Sequence, residues 1–116
     1  ELVVTSAFGE REGEEHQGID LDAQEGEPVY AALDGTVTTA ASSDSYGNWI
    51  ELTHSDGLST RYAHCFVLGV KEGDTVSAGD LIALAGDTGD ADGVHLHFEL
   101  LEDGQPVDPS AALGVS

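Results

Sequence analysis

Positive charge is nearly absent from this chain. Its 116 residues carry 3 Lys plus Arg against 23 Asp plus Glu, a formal charge of 3 − 23 = −20. Arg11, Arg61 and Lys71 are the only cations, so any function that needs a basic patch is excluded. Nucleic acids and anionic membrane surfaces are polyanions, and a field of this sign repels both. Long apolar runs are missing too: nothing approaches the roughly 20 residues of a membrane span, and no signal-peptide pattern is present. Methionine is absent and the first residue is Glu1, so the sequence reads as a processed chain or excised domain, with any targeting segment upstream. The one cysteine, Cys65, cannot form an internal disulfide. So much like charge on a small domain self-repels at low salt. A setting of high ionic strength or abundant divalent cations is therefore expected.

What is present points to a folded single domain. Apolar residues make up 40% of the chain, too many for a disordered acidic tail, and the length fits one core. Fifteen glycines punctuate short, alternating, β-branched segments, the pattern of an all-β domain. Strands are expected near Leu2–Thr5, Ile19–Asp22, Pro28–Ala32, Gly35–Ala41, Trp49–His54, Ser59–Cys65, Asp80–Ala85 and Val94–Leu101. Turns fall at Asp34-Gly35, Tyr46-Gly47-Asn48, Asp56-Gly57, Glu72-Gly73, Ala78-Gly79 and Asp103-Gly104. The only helical signal is a short one at Ser110–Leu113, after Pro109. The architecture predicted is a mainly antiparallel β-sheet or sandwich.

From Val70 to Ala83, valines alternate with glycine turns so that two short strands cross tightly. This segment resembles the hammerhead of biotinyl and lipoyl carrier domains. Those modules expose a modifiable lysine on a hairpin tip, whereas Lys71 precedes the hammerhead. The resemblance explains architecture, not chemistry.

The histidines carry the chemical signal. In His95-Leu96-His97-Phe98-Glu99-Leu100, alternation places His95, His97 and Glu99 on one face and Val94, Leu96, Phe98 and Leu100 on the core face. Taken alone, such a pair also fits solvated residues on an open sheet. His16-Gln17-Gly18-Ile19-Asp20 adds an imidazole and a carboxylate where a loop enters a strand. An imidazole, a carboxylate and a second imidazole form a three-ligand set suited to zinc, with the fourth position left for water. In Tyr62-Ala63-His64, alternation groups Thr60, Tyr62 and His64 on one face and Arg61, Ala63 and Cys65 on the other. Cys65 then reads as a small core residue. His54 ends a strand at a turn, and a structural or solvated role is expected for it.

His16-x-x-x-Asp20, Tyr62-Ala63-His64 and His95-Leu96-His97-Phe98-Glu99 together resemble the three signature motifs of the lysostaphin-type (LytM-domain) zinc endopeptidases. The resemblance covers nearly the whole chain, including Ser6-Ala7-Phe8-Gly9, Gly26-x-Pro28-Val29, the Gly47-Asn48 turn, Gly86-x-Thr88-Gly89 and Pro106-Val107-Asp108-Pro109. It implies a single LytM-type peptidase domain over residues 1–116, with a duplicated-hybrid-motif-like groove in which a peptide lies extended. By the same resemblance His16, Asp20 and His97 ligate Zn2+, while His64 and His95 are the catalytic histidines. The implied reaction is hydrolysis of stem or cross-bridge peptides of bacterial peptidoglycan, outside the cytoplasm, with room for an upstream membrane anchor or an envelope-protein partner. Zinc lowers the pKa of a bound water towards about 7. One of His64 and His95 then takes its proton, and the other serves the oxyanion or the leaving amine.

Four departures accompany the match, one of them a short loop between Arg11 and His16 that implies an open groove. Glu10 stands where many relatives carry an aromatic residue, which implies weaker activity. Gly89-Asp90-Ala91-Asp92-Gly93-Val94 brings extra carboxylates near the groove, and Cys65 replaces a usual leucine. The alternative, from another functional class, is a non-lytic LytM-type interaction domain of the cell envelope or a sporulation complex. Such relatives typically lose zinc ligands, and all five positions are present here.

Overall fold

Alternating β-branched residues between glycine turns build strands throughout. In the computed structural model, residues 4–6, 9–11, 14–16, 19–22, 24–55, 57–89 and 94–107 are described, with side chains from residue 24 onward apart from that of His95. In chain order the strands are β1 (Val4–Ser6), β2 (Gly9–Arg11), β3 (Glu14–His16), β4 (Ile19–Asp22), β5 (Pro28–Tyr30) and β6 (Gly35–Ser43). They continue as β7 (Gly47–Thr53), β8 (Leu58–Leu68), β9 (Thr75–Val76), β10 (Leu81–Ala85), β11 (His95–Glu102) and β12 (Gln105–Val107). There is no helix among the described residues, and the segment Ser110–Leu113 lies outside them. The all-β, antiparallel expectation is borne out. Three short strands, β2, β3 and β12, go beyond the sequence reading, because three residues give too few alternations to register as a period of two.

The main sheet runs β1-β4-β11-β8-β7-β6-β9. β8 organises it. Its first part pairs with β11 and β7, and its last residues, Cys65 to Leu68, pair with β10, which also pairs with β5. One long strand thus joins the main run of strands to the β10–β5 arm of the same sheet. The Val70–Ala83 segment closes the far side: β9 joins β6 while β10 joins β5 and β8. Its two strands leave for different neighbours, as a hammerhead crossing requires.

In one core cluster, Val37, Ile50, Leu52, Tyr62, Val76, Phe98 and Leu100 pack with Val29, Ala31, Ile82, Ala83 and Ala85. Removing each large apolar side chain from water contributes about 1.5–3 kcal/mol. Tyr62 and Phe98 meet edge to face with ring centroids 5.2 Å apart, a favourable aromatic arrangement. The Tyr62 hydroxyl is not left unpaired. It lies 2.9 Å from Thr60 Oγ1 and accepts the Ala32 backbone N–H at 3.0 Å. Cys65 is fully buried in the same cluster. Burial pushes its thiol up to about 12.

Candidate metal centre

β11 delivers its residues as alternation predicts. Phe98 and Leu100 enter the core, and His97 and Glu99 lie together on the other face. β8 does not follow simple alternation. Ile50 pairs with Tyr62 and Asn48 with Cys65, so the single residue Trp49 spans Ala63 and His64. This is a β-bulge, and His64 sits at its turn with φ of 65°, a left-handed conformation uncommon for a residue with a Cβ. The expected grouping of Thr60, Tyr62 and His64 on one face is therefore corrected. The extra residue lets both Tyr62 and Cys65 enter the core and turns His64 to the face that carries Arg61, His97 and Glu99.

Two loops hold His64 there. Its backbone N–H donates to the Tyr46 carbonyl at 2.7 Å, and Nδ1 lies 2.7 Å from the Thr88 carbonyl oxygen. A carbonyl only accepts, so Nδ1 carries a proton and, in the neutral ring, Nε2 holds the lone pair. Thr88 is itself fixed, its hydroxyl donating to the Cys65 carbonyl at 2.7 Å and accepting the Asn48 N–H at 3.1 Å. Gly47 and Gly89 have φ of 66° and 76°. A Cβ on either would collide with the backbone of the opposite loop, so glycine is what permits this close approach.

His97 is buried, and its ring centroid is 5.9 Å from that of His64. Its Nε2 donates to Glu99 Oε2 at 3.0 Å. The Tyr46 hydroxyl donates to the same oxygen at 2.6 Å, and the Tyr46 ring stacks on His97 at 6.1 Å. Arg61 reaches the other oxygen of Glu99 at 3.4 Å, bonds Glu51 at 2.9 Å and lies 5.7 Å over the Trp49 ring. Burial alone would raise the Glu99 carboxyl, but the hydrogen bonds from His97 and Tyr46 outweigh it, helped by the charge of His97 in its protonated form and by that of Arg61, and hold the group below the usual carboxylate range. The Tyr46 hydroxyl is pushed up to about 12, first by burial and then by Glu99. A buried carboxylate only accepts, so Nε2 carries the His97 proton and the neutral ring presents its lone pair at Nδ1.

For the remaining sequence-derived residues the backbone gives positions. Asp20 in β4 is the register partner of His97, and His95, two positions before His97, pairs with Asp22. His16 ends β3 opposite Gly9 of β2, and Glu10 pairs with Glu15. The side chains of His16, Asp20 and His95 lie outside the described residues. Among the described residues no group of three or more His, Cys, Asp or Glu side chains is arranged to hold a metal. Of the candidate ligands only His97 has its side chain among the described residues, and its chemistry suits zinc. His97 has its lone pair fixed at one nitrogen by a buried carboxylate on the other, as in carboxylate–histidine–zinc arrangements, and a carboxylate-bearing residue is its neighbour in the sheet.

His54 is remote from this chemistry. Its Nδ1 lies 2.6 Å from the Asp34 carbonyl and its Nε2 2.8 Å from Thr60 Oγ1. A surface depression lined by Asp34, Thr36, Thr53, His54 and Ser77 contains no candidate site residue. Sequence reading assigned no role to Tyr46, Arg61, Thr88 or Glu99. Only Glu99 had a usable signal, its place on the His95/His97 face.

Comparisons with known proteins bear on the family and the fold. The model of peptidase family M23 matches residues 14–109. Over 94 residues the chain is 42% identical to the DD-carboxypeptidase/endopeptidase Mpg of Neisseria meningitidis, covering 81% of this chain and 22% of that protein. Over 97 residues it is 39% identical to the peptidoglycan DD-endopeptidase ShyA of Vibrio cholerae, covering 84% and 23%. The chain thus spans less than a quarter of these relatives. Among solved structures, a zinc-containing peptidase from Vibrio cholerae superposes with a TM-score of 0.87 at 39% identity, covering 91% of this chain and 35% of that one. The catalytic domain of lysostaphin from Staphylococcus simulans superposes with a TM-score of 0.90 at 31% identity, covering 97% and 92%.

Proposed function

The chain belongs to peptidase family M23, and from that premise we propose that it is a zinc endopeptidase cleaving stem or cross-bridge peptides of bacterial peptidoglycan. One observation carries the reading. At the start of β11, His97 has Asp20 as its register partner and the buried His64 ring 5.9 Å from its own. In the proposal His16, Asp20 and His97 hold the metal, His97 through Nδ1. When bound, zinc lowers the pKa of a water towards about 7 and polarises the scissile carbonyl.

The protein's own groups do the rest. With Nδ1–H donated to the Thr88 carbonyl, His64 offers Nε2 as a base for the attacking water, or returns that proton to the leaving amine. His95, two residues before His97, takes the complementary role. The bonds to the Tyr46 and Thr88 carbonyls impose the left-handed backbone at His64 and hold its ring in place before substrate arrives. The same reading makes residues 1–116 one LytM-type domain working outside the cytoplasm on the wall peptide.

Metal analysis combined with turbidity loss of purified cell walls tests this. About one zinc per chain is expected, with wall hydrolysis that stops on chelation and returns with zinc. Bound zinc without hydrolysis of any wall type would replace the enzyme with a non-lytic envelope domain. Absence of zinc from the protein would undo the ligand assignment.

A further inference from the structure

Tyr46 touches everything that matters here. Its carbonyl accepts the His64 backbone N–H at 2.7 Å, its ring stacks on His97 at 6.1 Å, and its hydroxyl donates to Glu99 at 2.6 Å. Glu99 is 1% exposed. A carboxylate so far from water is costly unless its oxygens are satisfied, and here they are: His97 and Tyr46 share Oε2, and Arg61 approaches Oε1. Among the described residues this network reaches the candidate metal ligands at His97, through the bond to Nε2 and through the Tyr46 ring.

We propose that Glu99 and Tyr46 form a positioning pair that fixes His97 as the Nε2–H tautomer and aims Nδ1 at the zinc. Neither residue touches substrate or metal; both act through the His97 ring. Glu99 selects the tautomer, because only a protonated Nε2 can donate to it. Tyr46 holds Glu99 in place through its hydroxyl and limits tilting of His97 through its ring. Since its carbonyl also anchors the bulge at His64, one residue sets the spacing of both rings. Arg61 contributes charge balance: it faces Glu51 at 2.9 Å and Glu99 at 3.4 Å, so one cation sits between two carboxylates.

The proposal rests on the zinc reading above, and its test separates the two. In the zinc-free protein, nitrogen-15 NMR of the histidine rings should show His97 protonated at Nε2. Glu99→Gln keeps the shape and should retain the melting temperature while producing a mixture of His97 tautomers. Its zinc affinity, measured by competition with a chelating dye, should fall about 10- to 100-fold, the usual effect of losing a ligand's outer partner. Tyr46→Phe keeps the ring and removes the hydroxyl, so it should lose less affinity than Glu99→Gln and keep the Nε2–H tautomer. Glu102→Gln, an exposed change on the same strand, should leave affinity and tautomer unchanged. A His97 ring protonated at Nδ1 in the wild type overturns the proposal. So does a Glu99→Gln variant that binds zinc within twofold of wild type. Failure of the wild type to bind zinc defeats the metal reading instead, and the tautomer measurement still judges the pair.

Discussion

The His64 and His97 rings meet edge to face with centroids 5.9 Å apart, and their hydrogen-bond partners assign them opposite neutral tautomers. His64 gives its Nδ1 proton to the Thr88 carbonyl, whereas His97 gives its Nε2 proton to Glu99. One ring therefore presents Nε2 and the other Nδ1. In the proposed mechanism this division assigns proton transfer to His64 and metal ligation to His97, and it sets what substitutions should do.

His64→Asn should separate catalysis from folding. Asparagine tolerates the left-handed conformation, so stability should change by no more than about 1 kcal/mol. Proton transfer by a placed side chain contributes typically 10²–10⁴-fold, and hydrolysis should fall by about that factor. Thermal melts alongside amine release from peptidoglycan check both halves. A variant that keeps wild-type rates removes His64 from the mechanism.

His97→Ala should lose bound zinc and wall lysis together. Elemental analysis of the purified variant, compared with wild type at the same protein concentration, gives the first readout, and turbidity gives the second. Retained zinc at wild-type stoichiometry would mean that the metal sits elsewhere.

Cys65 should be silent in catalysis and visible in alkaline stability. Its thiol is raised from the ordinary 9.0 to about 12 by burial, so the folded state favours the neutral form. That contribution is complete below about pH 9 and is lost as pH rises towards 12, because the unfolded thiol ionises first. Cys65→Ala should keep its activity and show a shallower loss of melting temperature across that window. In the folded wild type, alkylation at pH 8 should be negligible until denaturant is added.

His54 should matter for stability alone. Its ring bridges the Asp34 carbonyl and Thr60 Oγ1, and Gly35 is needed beside it because a Cβ there would meet His54 Nδ1 at 2.6 Å. His54→Ala strips a hydrogen-bond partner from buried Thr60, at a cost of about 1–2 kcal/mol, with hydrolysis unchanged. Urea titration gives the first value. A drop in hydrolysis at full folding would contradict the structural assignment.

Salt should stabilise the fold and slow one class of substrate. A formal charge of −20 repels itself, and screening shortens that repulsion to about 10 Å at 0.1 M salt. Melting temperature should therefore climb from low to high salt. Hydrolysis of a cationic peptide should decline over the same range if the acidic surface steers it. Flat melting temperatures would remove self-repulsion as a factor.

The sequence by itself determined the all-β class, the core face of β11 and the sharing of its opposite face by His97 and Glu99. Each depends on a period of two, and in β11 the count from His95 to Glu102 is unbroken. The family was also legible, since its three motifs are contiguous strings. Tertiary structure alone decided where His64 points. Trp49 spans two residues of β8, and a two-against-one register between strands is written in neither strand, so counting from Thr60 placed His64 with Tyr62. The same limit hid Tyr46, Arg61 and Thr88. Tyr46 reads locally as a turn residue, and only the antiparallel pairing of β7, β8 and β11 brings its hydroxyl to Glu99, 53 positions away. Local alternation reports which face a residue is on. Which partners meet there depends on how distant strands align, and that is fixed by packing the core.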